Sequence, residues 1–205
     1  MAGEVGHVVY GARLLTYLND RVQQPAFWAG TLFPDIRHLG AVSRHRTHPE
    51  NVSLESLVGK NDFATGLRTH AWIDRVREEF LREHNIKEVL MWHPFVPHAL
   101  KLIEDEFLYD RFDDWNLIQR VLNKVYEDEL ELVPAREKVI RWHEVLQSYL
   151  REPPTDDSRR QLSLDIGLSE AMANEINLVV QALQKNKETR KVIDRFLAHL
   201  ENLLR

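Results

Sequence analysis

The chain has 205 residues, of which 43% are hydrophobic and 29% charged, and its formal net charge is −5. That is enough apolar mass for one globular domain, and the acidic balance gives no general pull toward nucleic acid. Cysteine is absent, which excludes disulfides and thiolate metal sites and leaves His, Asp and Glu as candidate metal ligands. The first residues, "MAGEVGHVVYG", lack the basic start and apolar run of a secretory signal. No apolar run approaches the ~20 residues of a membrane span. The expectation is a cytoplasmic protein without a membrane span.

Glycine and proline number eight each, and alternating Val/Ile/Thr runs are nearly absent. Apolar residues recur at helical spacing, so the predicted fold is all-α, a single bundle-like domain of many helices. A first helix is predicted over about 7–20, with Val8, Ala12, Leu15 and Leu18 on one broad face. The apolar segment "PAFWAGTLF" follows and ends at Pro34-Asp35. Residues 35–60 read as irregular, with Pro49 and Gly59 as breakers. A long helix is expected from Asp62 to His84. Phe63, Leu67, Ala71, Asp74 and Glu78 mark one side of it; Trp72, Val76 and Phe80 mark another. Pro94 and Pro97 precede a helix at about 97–110, and two more are expected near 113–127 and 134–151.

"REPPTDDSRR" reads as a linker, and the segment from about 168 as a helical pair whose halves meet near Lys185–Glu188. Its apolar stripe of Leu168, Met172, Ile176, Val179, Val180 and Leu183 suits a core, or a contact between copies in a homo-oligomer. The division is therefore a helical metal-site region over 1–152, with the linker and helical pair of 153–205 packed on the same domain.

The candidate chemistry starts at "RTHAWID". A spacing of four sets His70 and Asp74 on one helix face, one turn apart, where imidazole and carboxylate can grip one divalent cation. The ordinary alternative is an exposed pair of little energetic weight. Small Gly66 and Thr69 would let another helix approach closely. Asp35, after Pro34, is either a helix cap or a ligand that could bridge two ions. Pro49 keeps His48 out of helical backbone and fixes its imidazole in a turn. His38 and His45 compete with His48 for the same role, and His7 stands at the start of the first helix.

"GH" before an apolar helix, then "FWAGTLFPDIRH", "RHRTH" and "FATGLRTHAWID", resembles the zinc-dependent phospholipase C family over about residues 6–84. The matching elements are G-x-x-x-P-D at Gly30–Asp35, Arg44 or Thr47 with His48, and G-x-x-x-H-x-x-x-D at Gly66–Asp74. The resemblance implies an all-α fold and a clustered metal site of His7, Asp35, His48, His70 and Asp74. It implies Asp35 and Asp74 as the catalytic carboxylates. Those phospholipases add further histidines and a His-x-x-x-Glu pair. Here His84 and His98 follow, but Leu102 stands four residues after His98, and Asp105 could share its face only at a separation of seven. A site for one or two ions fits better than three.

Zinc leads among the cofactors, with Mn, Fe or Ni as alternatives for a mixed His and carboxylate set. The expected function is hydrolysis of a small-molecule or lipid phosphoester, with metal-activated water as nucleophile. Arg44 and Arg68 are candidate phosphate contacts. HD-domain phosphohydrolases are disfavoured because no His-Asp dipeptide occurs. The rival expectation is a non-enzymatic helical binding protein, with or without a vestigial metal site.

Overall fold

Short polar side chains set several helix starts. Asn61, Thr155 and Ser169 each accept a hydrogen bond from a backbone N–H in the first turn of the helix that follows. In this computed structural model residues 2–18, 24–90 and 93–205 are described. They form α1 (Glu4–Leu18), α2 (Gln24–Leu32), α3 (Arg44–Thr47), α4 (Asp62–Glu83), α5 (Ile86–Leu90) and α6 (Val96–Leu108). After these come α7 (Trp115–Leu122), α8 (Glu127–Leu132), α9 (Arg136–Tyr149), α10 (Asp156–Asp165), α11 (Glu170–Lys185) and α12 (Lys187–Leu203). Two 3-10 turns, Pro34–Leu39 and Tyr109–Arg111, complete the set. No strand occurs among the described residues, so the fold is all-α. No described helix is long and apolar enough to cross a membrane.

The expected first helix starts earlier, at Glu4, and its predicted last residues, Asn19 and Asp20, lie outside the described residues. The 35–60 segment is less irregular than expected, because Pro34 opens a 3-10 turn and Arg44–Thr47 makes one helical turn. The linker-like stretch is partly helix. Thr155 caps α10, and the buried Arg159 guanidinium joins Asp156 on its own helix to Glu106 on α6.

α4 runs through the centre of the fold. Its closest partner is α2, and glycine makes that approach possible. A Cβ on Gly66 would lie 2.2 Å from the Phe27 carbonyl oxygen, and one on Gly30 would lie 2.0 Å from the Phe63 carbonyl oxygen. Neither position tolerates a side chain without moving a backbone. Gly66 lies one turn before His70, and Gly30 precedes Thr31, so this contact also assembles the site. α1 packs on α2, α4 and α6, while α11 packs along α6.

Candidate metal centre

Five polar residues from four segments meet in the interior. His7 comes from α1, Asp35 from the 3-10 turn, His48 from the end of α3, and His70 and Asp74 from α4. All five are buried, with exposures between 0% and 5%. His7 Nε2 lies 3.3 Å from Asp74 Oδ1; His48 Nε2 and His70 Nε2 each lie 3.7 Å from Asp74 Oδ2. The His7 and His70 rings stack with centroids 3.7 Å apart, and His48 meets His70 edge-on at 4.9 Å.

Two triads, His7/His70/Asp74 and Asp35/His48/His70, each bring one donor atom per residue within 4.8 Å of one another. These buried groups could hold a metal ion. The polar atoms support that fit. Both ring nitrogens of His7, Nε2 of His48 and His70, and both oxygens of Asp35 are buried with no hydrogen bond among the described residues. Buried polar atoms are normally satisfied, so a convergent set of unsatisfied ones points to an absent partner. His70 Nδ1 lies 2.9 Å from the Thr31 carbonyl oxygen, which only accepts, so Nδ1 carries the proton and Nε2 offers its lone pair inward. His48 Nδ1 meets the Thr47 hydroxyl at 3.0 Å, and that hydroxyl is also 3.3 Å from the Pro34 carbonyl oxygen. If the hydroxyl donates to that carbonyl, it accepts from His48 Nδ1–H, and again Nε2 faces the centre. Such outer hydrogen bonds orient metal-binding histidines.

The electrostatics agree. Burial pushes His70 down to about 3 and His48 and His38 down to about 4, so all three are neutral near pH 7. Burial works against ionisation of Asp35 and Asp74, but the surrounding groups together outweigh it, His70 beside both with Lys101 and His38 near Asp35 and His7 near Asp74, and both carboxyls lie below their usual range. Two carboxylates among neutral imidazoles form a dry, anionic site, compensated in part by Arg37, which reaches Asp35 Oδ1 at 3.2 Å.

The structure places the remaining sequence candidates around this centre or away from it. His38 is half-buried beside it, with Nε2 3.6 Å from Asp35 Oδ1. Arg44 is exposed, and its charge bears on His48. His45 is exposed and sits against Ser43. Arg68 donates to the Ser56 carbonyl at 2.6 Å and so clamps the preceding loop. His84 bonds the Phe80 carbonyl one turn back and lies tilted against the Phe80 ring, with centroids 4.2 Å apart.

The expectation that His98 and Asp105 might act together does not hold. His98 is exposed, whereas Asp105 is fully buried and accepts from the Gly6 N–H at 2.8 Å and the Tyr149 hydroxyl at 3.0 Å. Seven residues span nearly two helical turns, too far for one ion. Asp105 instead ties down the start of α1, whose Gly3 leaves no room for a Cβ beside that carboxyl.

Sequence reasoning passed over Glu4 and Lys101. Glu4 is buried one turn before His7, and its Oε2 has no hydrogen bond. The spacing of three from His7 on one helix was the available signal. Lys101 had none, because only the fold brings α6 to the metal centre. Comparison with protein-family models, with curated proteins and with solved structures gives no match.

Proposed function

We propose that the protein is a divalent-metal-dependent phosphoester hydrolase, resembling the zinc-dependent phospholipases C in its ligand pattern. The observation that carries this reading is the convergence of unsatisfied His and Asp atoms at one buried point. His70 offers a single free nitrogen, since Nδ1 is held by Thr31. It therefore serves one ion, and the two triads cannot both be filled through it. Asp74, with one oxygen toward His7 and the other toward His48 and His70, is the residue suited to bridge. One ion would thus be held through His70 either with His7 and Asp74 or with Asp35 and His48, and the pair left over is available to a second.

Zinc suits this borderline nitrogen and oxygen set, as do Mn, Fe and Ni. A bound divalent ion would lower the pKa of a water molecule and neutralise charge on a phosphoester. The chain's own contribution is to fix the His70 imidazole in one tautomer, to keep both carboxylates ionised, and to exclude bulk water from the ligand side.

Elemental analysis of wild type and of the His70→Ala/Asp74→Ala variant, after incubation with Zn, Mn or Ni, tests the ligand set. Wild type should carry one or two ions per chain and the variant less than about a tenth of one. Wild type at the variant's level defeats the proposal. Loaded protein should then hydrolyse generic phosphoesters. A protein that holds metal but turns over none of them is the non-enzymatic binder.

A further inference from the structure

Asp105 of α6 stands outside the two ligand triads, yet the stretch of chain it holds is the stretch that reaches Asp74. α1 begins at Glu4, so the Gly6 N–H is one of the first-turn donors with no partner inside the helix. Gly3 stands before the helix and has no side chain to cap it. Asp105 supplies the cap from outside. Its Oδ1 accepts from the Gly6 N–H at 2.8 Å, at the positive end of the α1 dipole. A Cβ on Gly3 would overlap both Asp105 carboxyl oxygens, so only glycine lets the carboxylate in.

Asp105 is itself held. It is fully buried, and its Oδ2 accepts from the Tyr149 hydroxyl of α9 at 3.0 Å. One oxygen faces α1 and the other faces α9, so the carboxylate imposes a single position on the start of α1.

The anchored stretch meets one atom of the metal centre from both its ends. Before it, the Ala2 N–H donates to Asp74 Oδ1 at 2.8 Å. After it, His7 Nε2 lies 3.3 Å from the same oxygen. The His7 N–H donates to the Gly3 carbonyl at 2.9 Å, which ties His7 to the anchored residues as one unit. With Oδ1 turned toward this stretch, Oδ2 is left toward His48 and His70, 3.7 Å from each Nε2. A carboxylate oxygen has two lone pairs, so Oδ1 can take the Ala2 N–H and still face an ion. Metal–ligand distances hold within about 0.2 Å. A loosened start of α1 would therefore be felt at the ion through both His7 and Asp74.

Resting on the metal-centre reading above, we infer that Asp105 is a positioning residue for that centre: by capping α1 it fixes Ala2 and His7, and through them the orientation of Asp74. A tie that served the fold alone would lower stability and leave the zinc affinity of folded protein unchanged. Holding His7 and Asp74 in register predicts a loss of affinity as well, of the roughly ten- to hundredfold size that follows removal of the groups supporting metal ligands.

Chelator competition on the full chain gives the zinc dissociation constant, with circular dichroism reporting the fold. Asp105→Ala should weaken zinc about tenfold or more. Asp105→Asn keeps an acceptor for Gly6 and lets the Tyr149 hydroxyl accept instead of donate, so it should recover most of the affinity. Tyr149→Phe removes only a donor to Asp105 and should weaken zinc in the same direction by less. Glu104→Ala, beside Asp105 but bonded to Arg77 and Tyr10, should lose stability and keep its zinc affinity. Wild-type affinity in folded Asp105→Ala overturns the proposal and leaves the metal centre standing. If that variant does not fold, wild-type affinity in Tyr149→Phe overturns it. Asp105→Asn as weak as Asp105→Ala makes charge the cause, and equal weakening in Glu104→Ala makes general loosening the cause; either overturns it. Wild type that takes up no zinc overturns the metal centre and this role together.

Discussion

Two buried polar clusters lie side by side on α4 and α6, and they are built to opposite rules. In one, Glu104 on α6 accepts from Arg77 Nε at 2.8 Å and from the Tyr10 hydroxyl, while adjacent Asp105 accepts from Gly6 and Tyr149. Every carboxylate there meets donors. In the other, one to two helical turns away along α4, Asp74 Oδ1 accepts from the Ala2 N–H at 2.8 Å and Arg37 reaches Asp35, but both ring nitrogens of His7, Nε2 of His48 and of His70, and both Asp35 oxygens have no hydrogen bond among the described residues. Burial is the same in both; satisfaction differs. The first cluster is complete as a structural strut, and the second becomes complete only around a cation. Depth alone would have flagged both, and the donor inventory separates them.

Breaking the strut should have the largest effect. Glu104→Ala leaves the Arg77 guanidinium buried without its main partner, and loss of one half of a buried pair costs about 3–5 kcal/mol. Chemical denaturation should show that loss, while the folded fraction keeps wild-type metal content. Metal loss in step with stability would mean that the two clusters are not independent.

Filling the second cluster should stabilise it. Zinc at about 100 times its dissociation constant should raise unfolding free energy by ~2.7 kcal/mol. The gain should vanish in His70→Ala, and a thermal shift in that variant equal to wild type would remove His70 from the ligand set.

A smaller effect follows from protons in the metal-free protein. His70 at about 3 and His48 and His38 at about 4 lie below the ordinary 6.5 of an unfolded chain. Above 6.5 both states are neutral and these histidines give no slope. Below it the unfolded chain gains protons that the folded centre refuses, so stability falls as pH drops toward about 4. Asp105, pushed up to about 6 by burial, and Glu4, raised by burial and by Asp35, hold protons that the unfolded chain releases, and so oppose this trend. His98, also lowered, and at still lower pH Asp35 and Asp74 add to the loss, so the net trend on acidification is a loss of stability, about 1.4 kcal/mol per pH unit for each uncompensated proton. Denaturant midpoints of metal-free protein at pH 6.5 and 5 check the sign. Zinc should also stabilise less at the lower pH, and a midpoint that rises on acidification would show the histidines to be charged in the folded state.

The smallest effect is expected at the rim. His45→Asn should change stability by less than about 0.5 kcal/mol and leave metal content unaltered, because the side chain is exposed and its ring meets the exposed Ser43 hydroxyl at 3.5 Å. Loss of zinc in this variant would extend the centre to a residue the geometry leaves outside.

Much of the helical plan was legible, because amphipathic spacing and caps act within a few residues. The helix-like spacing of His70 and Asp74, and the need for small Gly66 beside a second helix, could both be read directly. The buried face of α4 was harder. Spacing grouped Glu78 with Phe63, Leu67, Ala71 and Asp74 on one side, yet Glu78 is exposed while His70, Asp74 and Arg77 are buried. Hydrophobic pattern misplaces a stripe whose buried members are partly polar.

The sequence by itself determined the all-α class, the absence of thiolate ligands and which residues could bind metal, since these follow from composition and local spacing. Only the tertiary structure decided among His38, His45 and His48, gave Asp105 to the strut, and brought Glu4 and Lys101 to the metal centre. Those outcomes depend on which carbonyl or hydroxyl meets each side chain across the fold. Thr31 holds His70 because Gly30 and Gly66 let α2 press on α4, and that contact spans residues far apart in the chain.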